Sequence, residues 1–370
     1  MSSPADPALP ELYIGLMSGT SLDGVDAALV DLARAPALLQ TEFLPYPAQL
    51  RSALLALHIP GSDELDRAAR LGIELAGLYA DAVARLLEKS KTRAASVRAI
   101  GCHGQTVRHR PAAGYTLQLG NPALLAERAG IAVVADFRSR DIAAGGEGAP
   151  LVPAFHAACF RDAKRHRVIV NIGGIANLTD LPADGPVTGF DTGPGNLLLD
   201  AWAREQLGHD FDRDGAFAAT GQPIAALLEA MLADPWFGRA PPRSTGRDHF
   251  NLEWLRAFGL ADHKPEDVQA TLAELTARSI ADAATRHCPG FEEMVLCGGG
   301  THNADLARRL RQCLPDCRID STARLGIAPD WVEAMAFAWL AQRALKGEPG
   351  NLAQVTGARG PRVLGAIYPA

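Results

Sequence analysis

The sequence predicts an α/β protein of two related domains, mixed sheets covered by helices, and three observations carry that reading. Residues 12–32 run as an apolar strand, a turn rich in Gly, Ser, Thr and Asp, and a second apolar strand. Residues 168–181 repeat the outline with Gly173 and Gly174 at the bend, and residues 293–303 set a third strand before Gly298, Gly299 and Gly300 and then a helix. Glycine permits positive φ and lets amide N–H groups approach an anion without a Cβ in the way. Ser18, Thr20 and Ser21 add hydroxyl donors to the first turn. One such turn would be explained as an ordinary hairpin bend; three in two halves of a chain point to a nucleotide triphosphate held between the domains.

A chain of 370 residues is long for one hydrophobic core, which agrees with two domains. The formal charge of −6 gives no general attraction to nucleic acid or to an anionic membrane, so neither is expected as a partner. The first residues, MSSPADPALPE, lack the basic and apolar regions of a secretory signal, and no run approaches the ~20 apolar residues of a membrane helix. The six cysteines are dispersed, and the nearest two, Cys313 and Cys317, have no second pair to complete a zinc site. Reduced thiols and a cytoplasmic location are the expectation.

The elements follow in order. Residues 48–58 and 64–89 have helical periodicity, the second with Leu71, Leu75, Leu78, Val83, Leu86 and Leu87 on its apolar side. Residues 97–102 form an apolar strand leading into His103-Gly104-Gln105-Thr106, 115–119 alternate as a strand, 122–128 are helical and 131–135 form a buried strand ahead of Asp136, Arg138 and Asp141. The loop 143–150, AAGGEGAP, is a candidate hinge. Helix 152–160, strand 187–190 ending at Asp191, and helices 197–207, 223–232 and 268–287 follow, and an almost wholly apolar helix spans 329–345. The polar stretch 244–251, STGRDHFN, has no role that its chemistry reveals. The expected division is 11–150 plus about 346–370 for the first domain and 151–345 for the second.

Familiar phosphate and nucleophile motifs are missing. There is no G-x-x-x-x-G-K-[ST], no strand-borne G-x-G-x-x-G and no G-x-S-x-G. A phosphate clamp made of β-hairpins remains. With one such hairpin in each half and a strand–Gly–Gly–Gly–helix near the end, the chain resembles the actin, sugar-kinase and heat-shock ATPase superfamily. Within it, GLMSGTSLDGVDAALVD, HGQT, GNPALLAE, ADFRSRDIAAGGEGAPLVPAFH, NIGGIANLT, GFDTGPGN, FDRDG, STGRDHFN and VLCGGGTHN closely resemble the 1,6-anhydro-N-acetylmuramic acid kinases of peptidoglycan recycling. The resemblance runs from about Tyr13 to Tyr368.

The resemblance implies a two-domain, actin-like (ribonuclease H-like) fold with a nucleotide cleft between the domains, ATP and Mg²⁺ as cofactors, and a homodimer. It implies hydrolytic opening of the anhydro ring with phosphorylation of O6. Another sugar kinase on the same fold, or a non-enzymatic nucleotide switch, are the alternatives. Asp191 matches the catalytic aspartate of the family; as a residue before Gly-Pro-Gly-Asn it also suits a turn or a helix cap. Ser18, Gly19, Thr20, Ser21, Leu22, Asp23, Gly24 and Val25 form the first phosphate clamp, and Gly173 with Gly174 the second. Gly298, Gly299 and Gly300 would face the adenosine. Asp23 is a candidate to hold Mg²⁺ through water, or equally a turn-forming residue before Gly24. Gln105, Arg138 and Glu333 are candidates for the sugar. Arg138 offers a bidentate partner for a carboxylate, against a salt bridge to Asp136 or Asp141. Glu333 stands out as a carboxylate on an apolar helix, where it needs a partner or a helix-end dipole contact.

Overall fold

The computed structural model describes residues 9–19, 21–247 and 249–370. The chain divides into two units: residues up to Phe155 with Glu333–Ala353 and Ala358–Ala370, and His156–Val332 with Gln354–Gly357.

The first unit opens with β1 (Leu12–Met17), β2 (Gly24–Asp31) and β3 (Ala37–Pro45), an antiparallel meander. Strand β4 (Val97–Cys102) joins β1 in parallel, β5 (Gln105–Arg110) and β6 (Tyr115–Leu119) form a separate hairpin, and β7 (Val133–Ala135) joins β4 in parallel. In the second unit β8 (Arg167–Ile172), β9 (Ile175–Leu181) and β10 (Thr188–Pro194) are again an antiparallel meander. Strands β11 (Glu293–Cys297) and β12 (Arg318–Ser321) extend it in parallel from β8. Finally β13 (Ala366–Tyr368) returns to the first unit, antiparallel to β7.

Both sheets therefore have one topology. The orders are β13-β7-β4-β1-β2-β3 and β10-β9-β8-β11-β12. Read from the meander's outer strand, each is third, second, first, fourth, fifth, with β13 appended to the first sheet. The two glycine turns seen in the sequence, 18–23 and 173–174, occupy the same place, the bend between the first and second strands of each sheet. The α/β class with mixed sheets is the one expected.

Helix Glu64–Ser90 covers the first sheet, burying Leu71, Leu75, Tyr79, Val83 and Leu86 on one stripe. Helix Pro265–His287 does the same for the second, burying Ala277, Ile280 and Ala284 against Val168, Val170 and Leu178.

Three differences from the sequence-based expectations matter for the site. The apolar helix runs Val332–Leu345, and Glu333–Ala353 group with the first unit, whereas residues 151–345 were expected to stay together. Gly15 and Gly101, on the neighbouring strands β1 and β4, leave a side-chain-free track in which the carbonyls of Ala334 and Phe337 lie. Second, the chain passes between the units after Phe155, inside helix Val152–Phe160, and not in the glycine-rich loop 143–150. That loop is tied down within the first unit. The Asp141 carboxylate accepts from Gly148 N–H (2.8 Å) and Asn351 Nδ2 (2.6 Å), and a Cβ on Gly146 would come 2.3 Å from Asp141 Oδ2. Third, Asp191 lies inside β10, which runs on to Pro194, rather than at a strand's end.

Candidate active site

In the first unit the β1–β2 turn is anchored from below. Ser18 is buried; its hydroxyl donates to Gly104 O (3.0 Å) and meets Tyr79 OH (2.8 Å). That proton is already engaged, so Ser18 holds the turn in place. Gln105, also buried, donates from Nε2 to Gly19 O (3.1 Å) and accepts from Tyr46 OH (3.4 Å). Burial pushes both phenols up, Tyr46 to about 12, so the network stays protonated and uncharged. Leu22 closes the turn with its side chain buried and its backbone at φ 57°, an uncommon conformation for a leucine. Ser21 is half-buried and Asp23 is exposed, with the carbonyl of Asp23 accepting from Tyr46 N–H (2.9 Å). Gly24 and Val25 belong to β2; a Cβ on Gly24 would come 2.4 Å from Leu44 O. Thr20 lies outside the described residues.

His103, left without a role by the sequence, is the hub of this cluster. Its Nδ1 lies 3.2 Å from Ser18 O, and its Nε2 accepts from Arg138 Nε (3.2 Å) and Nη2 (2.9 Å). Nδ1 therefore carries the proton and donates to Ser18 O. Burial, then the Arg138 charge, lowers the His103 pKa to about 3, so the ring is neutral. Arg138 also donates from Nη1 to Gly148 O (2.8 Å). The His103 ring lies 4.7 Å from that of Phe337, which sits one helical turn after Glu333 on the same helix face. Arg138 and the β1–β2 turn thus meet at one imidazole, Gln105 holds the same turn at Gly19, and the helix that carries Glu333 reaches the imidazole through Phe337. Arg138 is pre-oriented by His103 and Gly148.

In the second unit the Gly173–Gly174 turn is packed against the start of helix Leu197–Leu207. Gly173 O accepts from Asn196 N–H (2.8 Å), and Gly174 O accepts from Gly195 N–H (2.9 Å) and Leu197 N–H (3.1 Å). Gly298 has φ 79° and stands where a Cβ would come 2.2 Å from Asn171 Oδ1; a Cβ on Gly300 would come 2.3 Å from Ile172 Cγ2. The second turn and the Gly298–Gly300 segment are therefore neighbours. Asn171 Oδ1 is buried there with no hydrogen-bond partner among the described residues.

Asp191 is half-buried on β10, the edge strand of its sheet. Its Oδ2 accepts from Thr245 N–H (2.9 Å), its N–H donates to Arg243 O (3.1 Å), and its carbonyl accepts from Arg243 Nε (2.9 Å). Thr245, from the segment STGRDHFN whose role the sequence did not show, thus lies with Arg243, the residue before that segment, against the candidate base. Arg243 and Thr245 are the partners of Asp191 that sequence reasoning missed. The motif's unusual polarity was the only signal.

A glycine cradle in each unit and a carboxylate on an edge strand can hold phosphates and place a base, which is a kinase's equipment. Comparison with known proteins decides which kinase family. The family model for anhydro-N-acetylmuramic acid kinase matches residues 11–370. The chain belongs to the anhydro-N-acetylmuramic acid kinase family. Proteins of that name from Thiobacillus denitrificans, Nitrosospira multiformis and Pseudomonas putida are 57%, 55% and 54% identical to it. Each alignment covers 97% of this chain and 98–99% of the relative. Membership makes the chain a phosphotransferase enzyme that uses ATP.

The family resemblance implies Mg²⁺ beside ATP. For ATP, each unit carries a glycine turn whose amides suit a phosphate, and a Cβ on Gly298 or Gly300 would clash with Asn171 or Ile172. For Mg²⁺ the fit is narrower. Among the described residues no group of three or more His, Cys, Asp or Glu stands close enough to hold a metal. Asp23, exposed at the end of the first turn, is a single carboxylate suited to an ion that keeps most of its water.

Proposed function

We propose that this protein opens the 1,6-anhydro ring of 1,6-anhydro-N-acetylmuramic acid with water and phosphorylates the released O6 from ATP, giving N-acetylmuramic acid 6-phosphate and ADP. The observation that carries the reading is family membership over essentially the whole chain. It is supported by an aspartate on an edge strand whose carboxylate is held by a backbone N–H.

In this mechanism Asp191 takes a proton from the water that attacks the anomeric carbon. The C1–O6 bond breaks, O6 attacks the γ-phosphorus, and the bond from that phosphorus to the bridging oxygen of ADP breaks. Asp191 needs only to be ionised and correctly aimed; general-base assistance is typically worth ~10²–10⁴-fold. The turn at Gly19–Asp23, held from below by Ser18 and Gln105, and the Gly173–Gly174 turn supply amides for the phosphates. Gly298–Gly300 let adenosine lie against backbone. Asp23 would hold Mg²⁺ through water, and the ion would supply positive charge against the phosphates. Arg138, aimed by His103, pairs with the lactyl carboxylate, and Glu333 accepts from a sugar hydroxyl or amide.

The protein acts in the cytoplasm as a homodimer in cell-wall recycling, a reading that rests on the family resemblance. No described helix is long and apolar enough to cross a membrane. The test is ADP release with Mg-ATP against the anhydro sugar, N-acetylmuramic acid, N-acetylglucosamine and no sugar, with mass analysis of the product. Turnover of the anhydro sugar alone, the product gaining one phosphate and one water, is expected. Preference for an ordinary sugar would remove the hydrolytic half. ADP release indifferent to every sugar would overturn the kinase reading.

A further inference from the structure

We propose that Arg243 is a positioning residue for the reaction: it docks the 237–245 segment on the outer edge of β10 so that Thr245 N–H sets the plane of the Asp191 carboxylate. This rests on the reading of Asp191 as the base.

Strand β10 is the outer strand of its sheet, and its pairing with β9 slips between Asp191 and Gly193. An edge aspartate beside an irregularity has few backbone constraints of its own. The segment supplies them. Arg243 exchanges two hydrogen bonds with the Asp191 backbone, from its own carbonyl and from Nε, and so binds the edge at that one residue. Its Nη1 donates to Phe237 O (3.0 Å) and Arg239 O (2.7 Å), closing the segment on itself. Two residues on, Thr245 N–H reaches Asp191 Oδ2. Fixing one carboxylate oxygen fixes the direction of the other.

The anchor is built to be stiff. Arg243 is only 5% exposed, and its guanidinium carbon lies 4.8 Å from the Trp236 ring centre and 5.4 Å from that of Phe190. Trp236 Nε1 donates to Ser244 O (3.3 Å), and Trp236, Phe237 and Trp254 pack on the fully buried Phe250. A buried guanidinium costs desolvation unless its donors are used. Here its three hydrogen bonds go to one loop and one strand, and so tie the two together. Beside it, Thr245 Oγ1 is enclosed and has no hydrogen-bond partner among the described residues. A hydroxyl held next to the base and left unpaired is a group that substrate or the reacting water would satisfy.

The test compares Arg243→Lys, Arg243→Gln and Thr245→Val with the full-length wild type and with Asp191→Asn. Small misplacements of reacting groups cost up to about 10²-fold. Arg243→Gln is therefore expected to lower kcat about 30–100-fold while KM for ATP and ATP affinity by calorimetry change less than about twofold. Arg243→Lys, which keeps the charge over Trp236 but loses the fork, should recover part of that loss. Thr245→Val keeps the amide and should raise KM for the sugar more than it lowers kcat. Wild-type kcat in Arg243→Gln, with Asp191→Asn inactive, would overturn the positioning role alone. Turnover retained in Asp191→Asn would overturn the base assignment and this proposal together. Equal loss of ATP affinity and kcat in Arg243→Lys and Arg243→Gln would show a structural role only and overturn the proposal.

Discussion

The Cβ position of Gly15 lies 1.7 Å from the carbonyl oxygen of Ala334, so strand β1 and helix Val332–Leu345 meet backbone to backbone. Gly101 on β4 repeats the contact, with a Cβ position 2.0 Å from Phe337 O. Between them they seat the helix that carries Glu333 beside the His103 cluster.

Gly15→Ala should therefore be among the most damaging single-methyl changes in the chain. Overpacking a core typically costs ~1–3 kcal/mol, and here the obstacle is backbone rather than a movable side chain. The expected outcome is a thermal midpoint lower by several degrees, or insoluble protein. A normal unfolding curve would mean the helix can slide off β1 without loss.

Acid should unfold the protein through two buried histidines. Burial lowers both His103 and His156 from 6.5 to about 3, Arg138 adding to the effect at His103. Between those values the unfolded chain binds a proton at each site and the native chain does not. Their contribution is complete above pH 6.5 and falls as pH drops, by about 1.4 kcal/mol per pH unit for each histidine. Urea unfolding at pH 7, 6 and 5 checks this. His156→Gln should remove one histidine's share of the slope.

Asp191→Asn should abolish turnover, by at least ~10²-fold, with ATP binding intact. Single-turnover assays with the anhydro sugar, alongside calorimetric ATP titration, separate the two. An Asp191→Asn enzyme that kept most of its kcat would remove Asp191 from the mechanism.

The second sheet contains a buried ionic junction. Glu293, 2% exposed on β11, accepts from Arg167 Nε on β8 (2.8 Å) and from Arg324 Nη1 (2.9 Å). Glu293→Gln leaves the buried Arg167 without a full counter-charge, and breaking such a pair costs about 3–5 kcal/mol. Denaturant unfolding should show a loss of that order, and a change below about 1 kcal/mol would mean that Arg167 finds another partner, Asp162 being 3.6 Å away.

Much of the site could be read from the sequence because its parts are local. A strand–glycine–strand pattern encodes its own turn, so both glycine-turn hairpins and the Gly298–Gly300 segment were recognisable in place. Strand β3 was not. Its alternation leaves Leu39 52% and Phe43 45% exposed, which weakens the apolar signal of an edge. His103 was left unassigned and Arg243 missed for a different reason. A lone histidine after a strand reads as structural and an arginine in a polar loop as a surface residue until partners 35 and 52 positions away reach them.

By itself, then, the sequence determined the duplicated strand–turn–strand units, the family, and Asp191 as the carboxylate to test. Those depend on short-range pattern and on long ordered motifs. Only the tertiary structure decided that Val332–Leu345 serves the first unit's sheet, that His103 binds Arg138 to the β1–β2 turn, and that the 237–245 segment grips β10 at Asp191. Each of these is a contact between distant stretches, set by which backbones can approach and which buried polar groups must be paired.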